Sequence, residues 1–199
     1  MASCLKPSSP TMSRTIEFFY DLMSPYSHLA NWRLPGVAKR SAAVVVPRPV
    51  SLPELLVLSG NQHPAELESK RDYMRRDLDA LGRYYGIPME WPEQWPVNSS
   101  RAMAALALLE GGAQQELANE LFSAIWDRGE NIADPDCLLA LLGDSLWQQS
   151  DSDEARQRLN ENTREAYERG AFGVPSCFAG ERLFFGNERL FLLQMHLNG

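Results

Sequence analysis

The stretch Phe18-Phe19-Tyr20-Asp21-Leu22-Met23-Ser24-Pro25-Tyr26-Ser27 decides the fold of this chain. Its opening aromatic residues are typical of the end of a buried strand, and the residues after Asp21 indicate a short turn. Ser24 stands where a helix N-cap belongs, and Pro25 takes the first helical position, where its missing N–H would be unpartnered anyway. Because the N–H groups at a helix start can stabilise an anion, Ser24 is either a cap alone or part of an anion site.

The residues on both sides of this stretch complete a strand–helix–strand unit. Residues 15–20 are β-branched and aromatic, and an apolar stripe at helical spacing follows Ser24. Residues 42–46 are a short apolar run, which we expect to form a strand buried on both faces, as in a parallel sheet. Pro35 lies inside the helical stripe, where a proline can kink or shorten a helix.

The middle of the chain has helical patterns and no convincing strand. Residues 66–85 place apolar side chains on one face, and Gly86 follows as a helix stop. A Trp- and Pro-rich connection, residues 89–96, comes next. The pattern predicts further helices at 52–58, 101–109, 116–126, 137–146 and 154–169. Asn98 and Ser99 are predicted to cap the helix at 101–109, and Gly111 to end it.

The last segment returns to strands. Residues 176–179 and 182–185 predict a hairpin with a two-residue turn that begins with Gly180, and Asn187 is predicted to cap a final helix. The resulting order, βαβ, helices, ββα, is that of an α/β thioredoxin-like fold with a large all-helical insertion. We therefore predict a flexible tail (residues 1–14), a discontinuous thioredoxin-like domain (15–50 and 170–199) and an inserted helical domain (51–169).

Composition excludes several classes of protein. The 199 residues are 44% hydrophobic, which predicts a packed globular core. The net charge of −7 argues against a nucleic-acid partner, and no apolar run approaches the roughly 20 residues of a membrane span. Three cysteines without a Cys-x-x-Cys pair suit a reducing compartment, so we predict a cytoplasmic location. No metal site is predicted.

Two further places could carry chemistry beside Ser24. The first is Val174-Pro175, whose peptide bond is either cis or that of an ordinary trans turn; Val174 would offer its backbone groups to an extended peptide. The second is Asn187-Glu188 at the start of the last helix, which suits a carboxylate and an ammonium group, or else forms a cap and a surface ion pair. A thioredoxin-like layout would bring all three places together.

The motifs in this order resemble those of a known enzyme family. The opening stretch resembles the signature of 2-hydroxychromene-2-carboxylate isomerases and kappa-class glutathione transferases, a branch of the DsbA-like thioredoxin superfamily. Residues 170–176 (G-A-F-G-V-P-S) are similar to the family's cis-proline stretch, and residues 184–189 (F-F-G-N-E-R) to its late Phe-Gly motif. Residues 85–88 (Y-G-I-P) and 96–98 (P-V-N) also stand where the family has similar segments. The resemblance runs from about residue 15 to the C-terminus.

The resemblance implies a glutathione site. Ser24 takes the position of a redox cysteine, and its hydroxyl would face the glutathione sulfur and favour the thiolate. Val174, before Pro175, would pair with the cysteinyl backbone of glutathione. Asn187 and Glu188 would hold the γ-glutamyl end, with Glu188 in place of the family's usual Asp.

Two more residues follow from the resemblance. Lys70 lies where the family often has a lysine near the glycine carboxylate of glutathione. Asn61 corresponds to the family's Gly-Asn-x-Pro segment, from which this chain departs by an extra residue before Pro64.

For the second substrate, the resemblance implies a flat aromatic acid between Tyr26 and the segment 89–95, with Trp91 and Asn98 as further contacts. Helical-domain core is an equally good interpretation of Trp91. Neither His63 nor the other two histidines need a catalytic role, and Cys177 is predicted to pack rather than react.

Three alternative functions remain open at this point. The first is a glutathione-dependent isomerase of the 2-hydroxychromene-2-carboxylate type, which acts by thiolate addition and elimination. The second is a kappa-like transferase or peroxidase acting on other electrophiles. The third is a non-catalytic module that binds glutathione or a peptide. The resemblance also implies a homodimer, whose contact face the sequence does not identify.

Overall fold

A single mixed sheet of four strands forms the centre of the computed structural model, which describes residues 14–199. The strands are β1 (Arg14–Tyr20), β2 (Ala43–Pro49), β3 (Ser176–Ala179) and β4 (Arg182–Phe185), in the order β2-β1-β3-β4. β1 pairs parallel to β2 and antiparallel to β3, and β3 pairs antiparallel to β4. The predicted tail lies outside the described residues except for Arg14, which opens β1.

The described chain also has eight α-helices. α1 (Pro25–Arg40) connects β1 to β2, and α8 (Leu190–Asn198) follows β4. Six helices lie between β2 and β3: α2 (Leu52–Ser59), α3 (Glu68–Tyr85), α4 (Ser100–Ala107), α5 (Gly111–Trp126), α6 (Pro135–Gln149) and α7 (Asp153–Glu168). Since residues 50–175 form no strand, the α/β thioredoxin-like fold with a helical insertion is confirmed. The division into two domains stays a prediction.

The insertion and the sheet share one hydrophobic core, which centres on β1. The ring of Phe19 lies 5.5 Å from that of Phe178 on β3, in an edge-to-face contact. The ring of Tyr20 lies 5.6 Å from that of Phe122 on α5. All four rings are fully buried or nearly so, and each contributes about 1.5–3 kcal/mol by leaving water. β1 is therefore held from both sides, and the turn that follows it has a rigid base.

Strand β2 differs from its prediction. It runs to Pro49 rather than residue 46, and it is an edge strand rather than one buried on both faces. Val44 and Val46 are 53% and 37% exposed. The exposed residues alternate with partly buried ones, so one face of the first half of β2 is left exposed. Pro35 neither ends nor shortens α1, which continues to Arg40.

Two helix boundaries were also predicted wrongly. Gly111 begins α5 instead of ending the helix before it, since Gln114 in the first turn of α5 donates to the Leu106 carbonyl oxygen at 2.8 Å. Asn187 does not cap the last helix. It opens a 3₁₀ turn, Asn187–Arg189, with no side-chain cap, and α8 begins only at Leu190.

Neither a membrane-spanning helix nor a metal-binding cluster is found among the described residues. No helix between residues 14 and 199 is both long and apolar enough to cross a membrane. Within the same range, no three His, Cys, Asp or Glu side chains cluster in a way that could hold a metal ion.

Gly82 marks a close contact between α3 and the connection that follows it. A Cβ atom at Gly82 would lie 2.6 Å from Cγ of Met89 and 3.0 Å from the carbonyl oxygen of Ile87. We expect Gly82→Ala to lower the free energy of unfolding by about 1–3 kcal/mol, because overpacking outweighs the helix preference of alanine. Gly112→Ala in α5 is the matched control, since nothing lies within 4 Å of its added Cβ. Urea denaturation measures both, and an unchanged stability of Gly82→Ala would contradict the close contact.

Candidate active site

The turn between β1 and α1 presents Ser24 as the N-cap of α1, as predicted. Its Oγ accepts a hydrogen bond from the Ser27 N–H at 3.2 Å, and Pro25 takes the first helical position. Ser24 is only 6% exposed. Its hydroxyl hydrogen has no acceptor among the described residues. The hydroxyl is therefore free to donate to a group brought to the helix start.

Asp21 holds this turn from inside the core. Its carboxylate is 1% exposed and accepts three hydrogen bonds. The donors are the N–H of Met23 at 3.0 Å, the hydroxyl of Ser99 at 2.6 Å and the N–H of Leu52 at 2.8 Å. Burial raises the pKa of Asp21, and the three donors oppose that rise. The contacts link the turn to the starts of α2 and α4.

The backbone of the turn is also held by side chains from the insertion. The indole N–H of Trp126 donates to the Leu22 carbonyl oxygen at 2.9 Å, and that of Trp95 donates to the Met23 carbonyl oxygen at 3.1 Å. Such contacts hold the backbone of the turn, and with it Ser24, in place, which is what preorganised stabilisation of an anion requires.

The segment before β3 faces the same place. The Val174–Pro175 peptide bond is cis, and the Pro175 carbonyl oxygen accepts from the Gly186 N–H at 2.9 Å. The backbone N–H and C=O of Val174 make no hydrogen bond within the described chain. They can therefore pair with an extended ligand. A second cis bond, Trp95–Pro96, has no counterpart in the sequence predictions.

Two adjoining cavities form a cleft between α1, α3 and the β3–β4 hairpin. The smaller, of about 180 Å³, is the serine cavity; Ser24, Asn61, His63 and Trp95 line it. The larger, of about 460 Å³, is the outer cavity; Ser69, Tyr73, Gly186 and Glu188 line it. The wall residues that both share are Tyr26, Pro64, Lys70, Met74, Val174 and Phe185. The cleft thus runs from Ser24 past Val174 to the start of the 3₁₀ turn.

The outer cavity carries opposite charges on its walls. Lys70 lines both cavities, while Glu188 lines only the outer one. Asn187 lies beside Glu188 but is fully buried and lines neither cavity. Its Oδ1 accepts from Nη1 of Arg33 at 2.7 Å, and its amide nitrogen has no partner in the described chain.

The other predicted site residues divide into two groups. Tyr26 and Asn61 line the serine cavity, and Asn61 donates to the Phe172 carbonyl oxygen at 3.0 Å. Trp91 and Asn98 line neither cavity. Trp91 packs 5.6 Å from Trp126, in keeping with the core interpretation, and Asn98 caps the Ser100 N–H from an exposed position.

Two titratable groups in or near the cleft, half-buried Tyr26 and buried Cys177, are not poised to ionise. Tyr26 donates to Asp77 on α3 at 2.9 Å, and burial together with that carboxylate raises the pKa of Tyr26. Cys177 is buried in the core, in keeping with its predicted packing role, and this burial raises the pKa of its thiol to about 12.

Sequence reasoning missed His63 as a cavity residue and Trp95 as the tryptophan that reaches the turn. The insertion before Pro64 was the available signal for His63, because an extra residue in a ligand loop changes which side chains face the ligand. Nothing in the local pattern separates Trp95 from Trp91.

This arrangement of a thioredoxin-like sheet, a serine at the first helix and a cis-proline opposite it defines a protein class. The family model for the DSBA-like thioredoxin domain matches residues 15–198. The chain belongs to the DSBA-like thioredoxin domain family.

Within that family, the chain is similar to two groups of enzymes. It is 35% identical over 191 residues to the 2-hydroxychromene-2-carboxylate isomerase of Pseudomonas putida, covering 90% of this chain and 92% of that protein. It is 29% identical over 209 residues to glutathione S-transferase kappa 1 of Homo sapiens, covering 94% and 92%. A solved structure of 2-hydroxychromene-2-carboxylate isomerase aligns with a TM-score of 0.80 and 30% identity, covering 92% of this chain and 94% of that one. The resemblance seen in the motifs is confirmed.

Proposed function

We propose that this protein is a glutathione-dependent isomerase of the 2-hydroxychromene-2-carboxylate isomerase type. The observation that carries the proposal is the Ser24 hydroxyl, which lines the serine cavity with its hydrogen free to donate. A relative with that isomerase name, 35% identical over most of both chains, supports the choice of reaction.

The residues of the cleft fit glutathione. Lys70 is a partner for the glycine carboxylate, and Glu188 for the γ-glutamyl ammonium group. The unpaired backbone of Val174 is a partner for the cysteinyl amide groups. The amide nitrogen of Asn187, next to Glu188, is buried and unpartnered, and it would reach the γ-glutamyl carboxylate only through a local rearrangement, since Asn187 lines neither cavity. Asn61 and Pro175 complete the wall on which the tripeptide would lie.

Glutathione bound there would supply a sulfur nucleophile that adds to an unsaturated carbon of the aromatic acid and is later eliminated. Ser24 donates its hydroxyl hydrogen to the sulfur, and the positive end of the α1 dipole adds a favourable field. A thiol has an ordinary pKa of about 8.5, and each unit of lowering corresponds to about 1.4 kcal/mol in favour of the thiolate. Tyr26 keeps its proton and forms the wall against which the aromatic acid would lie.

Turnover of 2-hydroxychromene-2-carboxylate, measured with and without glutathione, tests the proposal. We expect turnover that saturates with glutathione and is absent without it. Glutathione binding without turnover of this compound or of any electrophile would favour the non-catalytic module instead.

A kappa-like transferase or peroxidase is the second candidate. The outer cavity favours it, because Tyr73, Met74 and Phe185 give that cavity an apolar wall that suits many electrophiles, and a human kappa-class relative is similar over most of its length. Conjugation of a generic aryl halide that is faster than isomerisation of the chromene acid would select this candidate.

The proposal includes a cytoplasmic homodimer. The described cysteines, Cys137 and Cys177, are free, as expected in a reducing compartment. Light scattering after size-exclusion chromatography tests the dimer, and fractionation of cells that express the protein tests the location.

Lys70→Met tests the orientation of the tripeptide. We expect the affinity for glutathione to fall about three- to tenfold, since an exposed ion pair contributes on the order of 1 kcal/mol. Lys39→Met, at the exposed end of α1, is the matched control. Isothermal titration calorimetry should also show that blocking the glycine carboxylate as an ester weakens binding to the unsubstituted protein but not to Lys70→Met. An equal effect of the ester on both would place that carboxylate elsewhere.

A further inference from the structure

The loop between α2 and α3 brings a histidine into the serine cavity. His63 lines this cavity together with Ser24 and Trp95. Its ring lies 5.9 Å from the ring of Trp95 at an angle of 58°.

The hydrogen bonds of His63 determine its tautomer. The N–H of Ala65 donates to Nδ1 of His63 at 3.2 Å. A backbone N–H can only donate, so Nδ1 carries the lone pair and Nε2 carries the hydrogen. Nε2 makes no hydrogen bond with a described residue and is not among the buried unpartnered atoms. The imidazole therefore has a free N–H donor.

The surroundings keep this ring neutral. Burial lowers the pKa of His63 below 6.5, and the nearby Glu66 opposes that shift only in part. Protonation would also place a hydrogen on Nδ1, directly against the Ala65 N–H. A neutral imidazole with a fixed tautomer can act as a hydrogen-bond donor without losing its proton.

We propose that His63 is a catalytic residue whose Nε2–H donates a hydrogen bond to the substrate oxygen that gains negative charge during the reaction. This inference rests on the proposed function. 2-Hydroxychromene-2-carboxylate is a cyclic hemiketal, so its C–O bond to the ring oxygen breaks first. The electron pair of that bond goes to the ring oxygen, which takes the hemiketal hydroxyl proton, and a ketone conjugated with the C=C bond is left. When that C=C bond accepts a sulfur anion, the sulfur electron pair forms the C–S bond. The π pair moves to give an enolate whose charge lies on the carbonyl oxygen. Elimination returns both pairs, and the proton of His63 stays on Nε2 throughout.

Two substitutions separate this role from a structural one, because His63 also caps the short 3₁₀ turn Pro64–Glu66 through Nδ1. His63→Asn keeps a side-chain oxygen for the Ala65 N–H but has no donor that reaches the position of Nε2. His63→Gln extends an amide N–H toward that position. We expect kcat/KM to fall about ten- to hundredfold in His63→Asn and clearly less in His63→Gln. His196→Asn, on the exposed face of α8, is the control.

A binding measurement tests the same role of His63 and does not require turnover. The isomerised product carries the same carbonyl oxygen, so calorimetry without glutathione should show weaker product binding to His63→Asn than to the unsubstituted protein. The affinity for glutathione should be unchanged in both variants. Full activity and full product affinity in His63→Asn would overturn the proposal for His63 and leave the proposed function standing. Absence of glutathione-dependent turnover in the unsubstituted protein would overturn the proposed function and, with it, the catalytic role of His63.

Discussion

Ser24→Ala should lose about a hundredfold or more in kcat/KM for glutathione-dependent turnover. The Ser24 hydroxyl is the side-chain donor at the start of α1 whose hydrogen is free among the described residues. Removing a single preorganised donor from a developing or bound anion typically lowers kcat by a factor of about 10²–10³. The thiol pKa of bound glutathione should also rise, which the pH dependence of thiolate absorbance in the complex measures directly.

The same substitution removes a helix cap, and a matched control separates the two effects. Ser152 caps α7 by accepting from the Ala155 N–H at 3.1 Å, the geometry that Ser24 has in α1. Both alanine variants should lose about 1 kcal/mol of stability, but only Ser24→Ala should lose turnover. A fully active and folded Ser24→Ala variant would remove the serine from the mechanism.

The parts of the fold that could be predicted from sequence are those whose structure is determined by residues close together in the chain. The β3–β4 hairpin was predicted with its observed bounds, because Gly180 with φ +60° suits the turn between two short apolar runs. Ser24 and Pro25 identified the start of α1 for the same reason. The exposed face of β2 was missed, since an apolar run looks the same in a central and an edge strand.

The candidate site also has parts that could be predicted from sequence and parts that only the tertiary structure reveals. The positions of Ser24, Val174 and Lys70 in one cleft follow from the fold once the motifs are placed on it. Trp95 could not be distinguished from Trp91, because its bond to the Met23 carbonyl spans 72 residues. His63 was given no catalytic role because its cavity exists only when the α2–α3 loop meets α1.

Asp21→Asn should lower the free energy of unfolding by about 2–3 kcal/mol, which corresponds to a fall in Tm of roughly 5–10 °C. Both carboxylate oxygens of Asp21 face backbone donors, Oδ1 the N–H of Met23 and Oδ2 the N–H of Leu52. An amide must place its NH₂ group against one of them, whatever the protonation state of the aspartate. That N–H is left buried and unpaired, and the turn that orients Ser24 loses a contact, so glutathione affinity should also fall.

Asp134→Asn is the matched control for Asp21→Asn. Asp134 caps α6 with a single oxygen, since Oδ1 accepts from the N–H of both Asp136 and Cys137 at 3.0 Å. An amide oxygen can replace it there, so the same chemical change should leave stability within about 0.5 kcal/mol. Thermal and urea denaturation measure both variants. If the two substitutions changed the free energy of unfolding equally, the N–H groups of Leu52 and Met23 would not need two acceptor oxygens at position 21. The buried carboxylate of Asp21 would then not be what holds the turn.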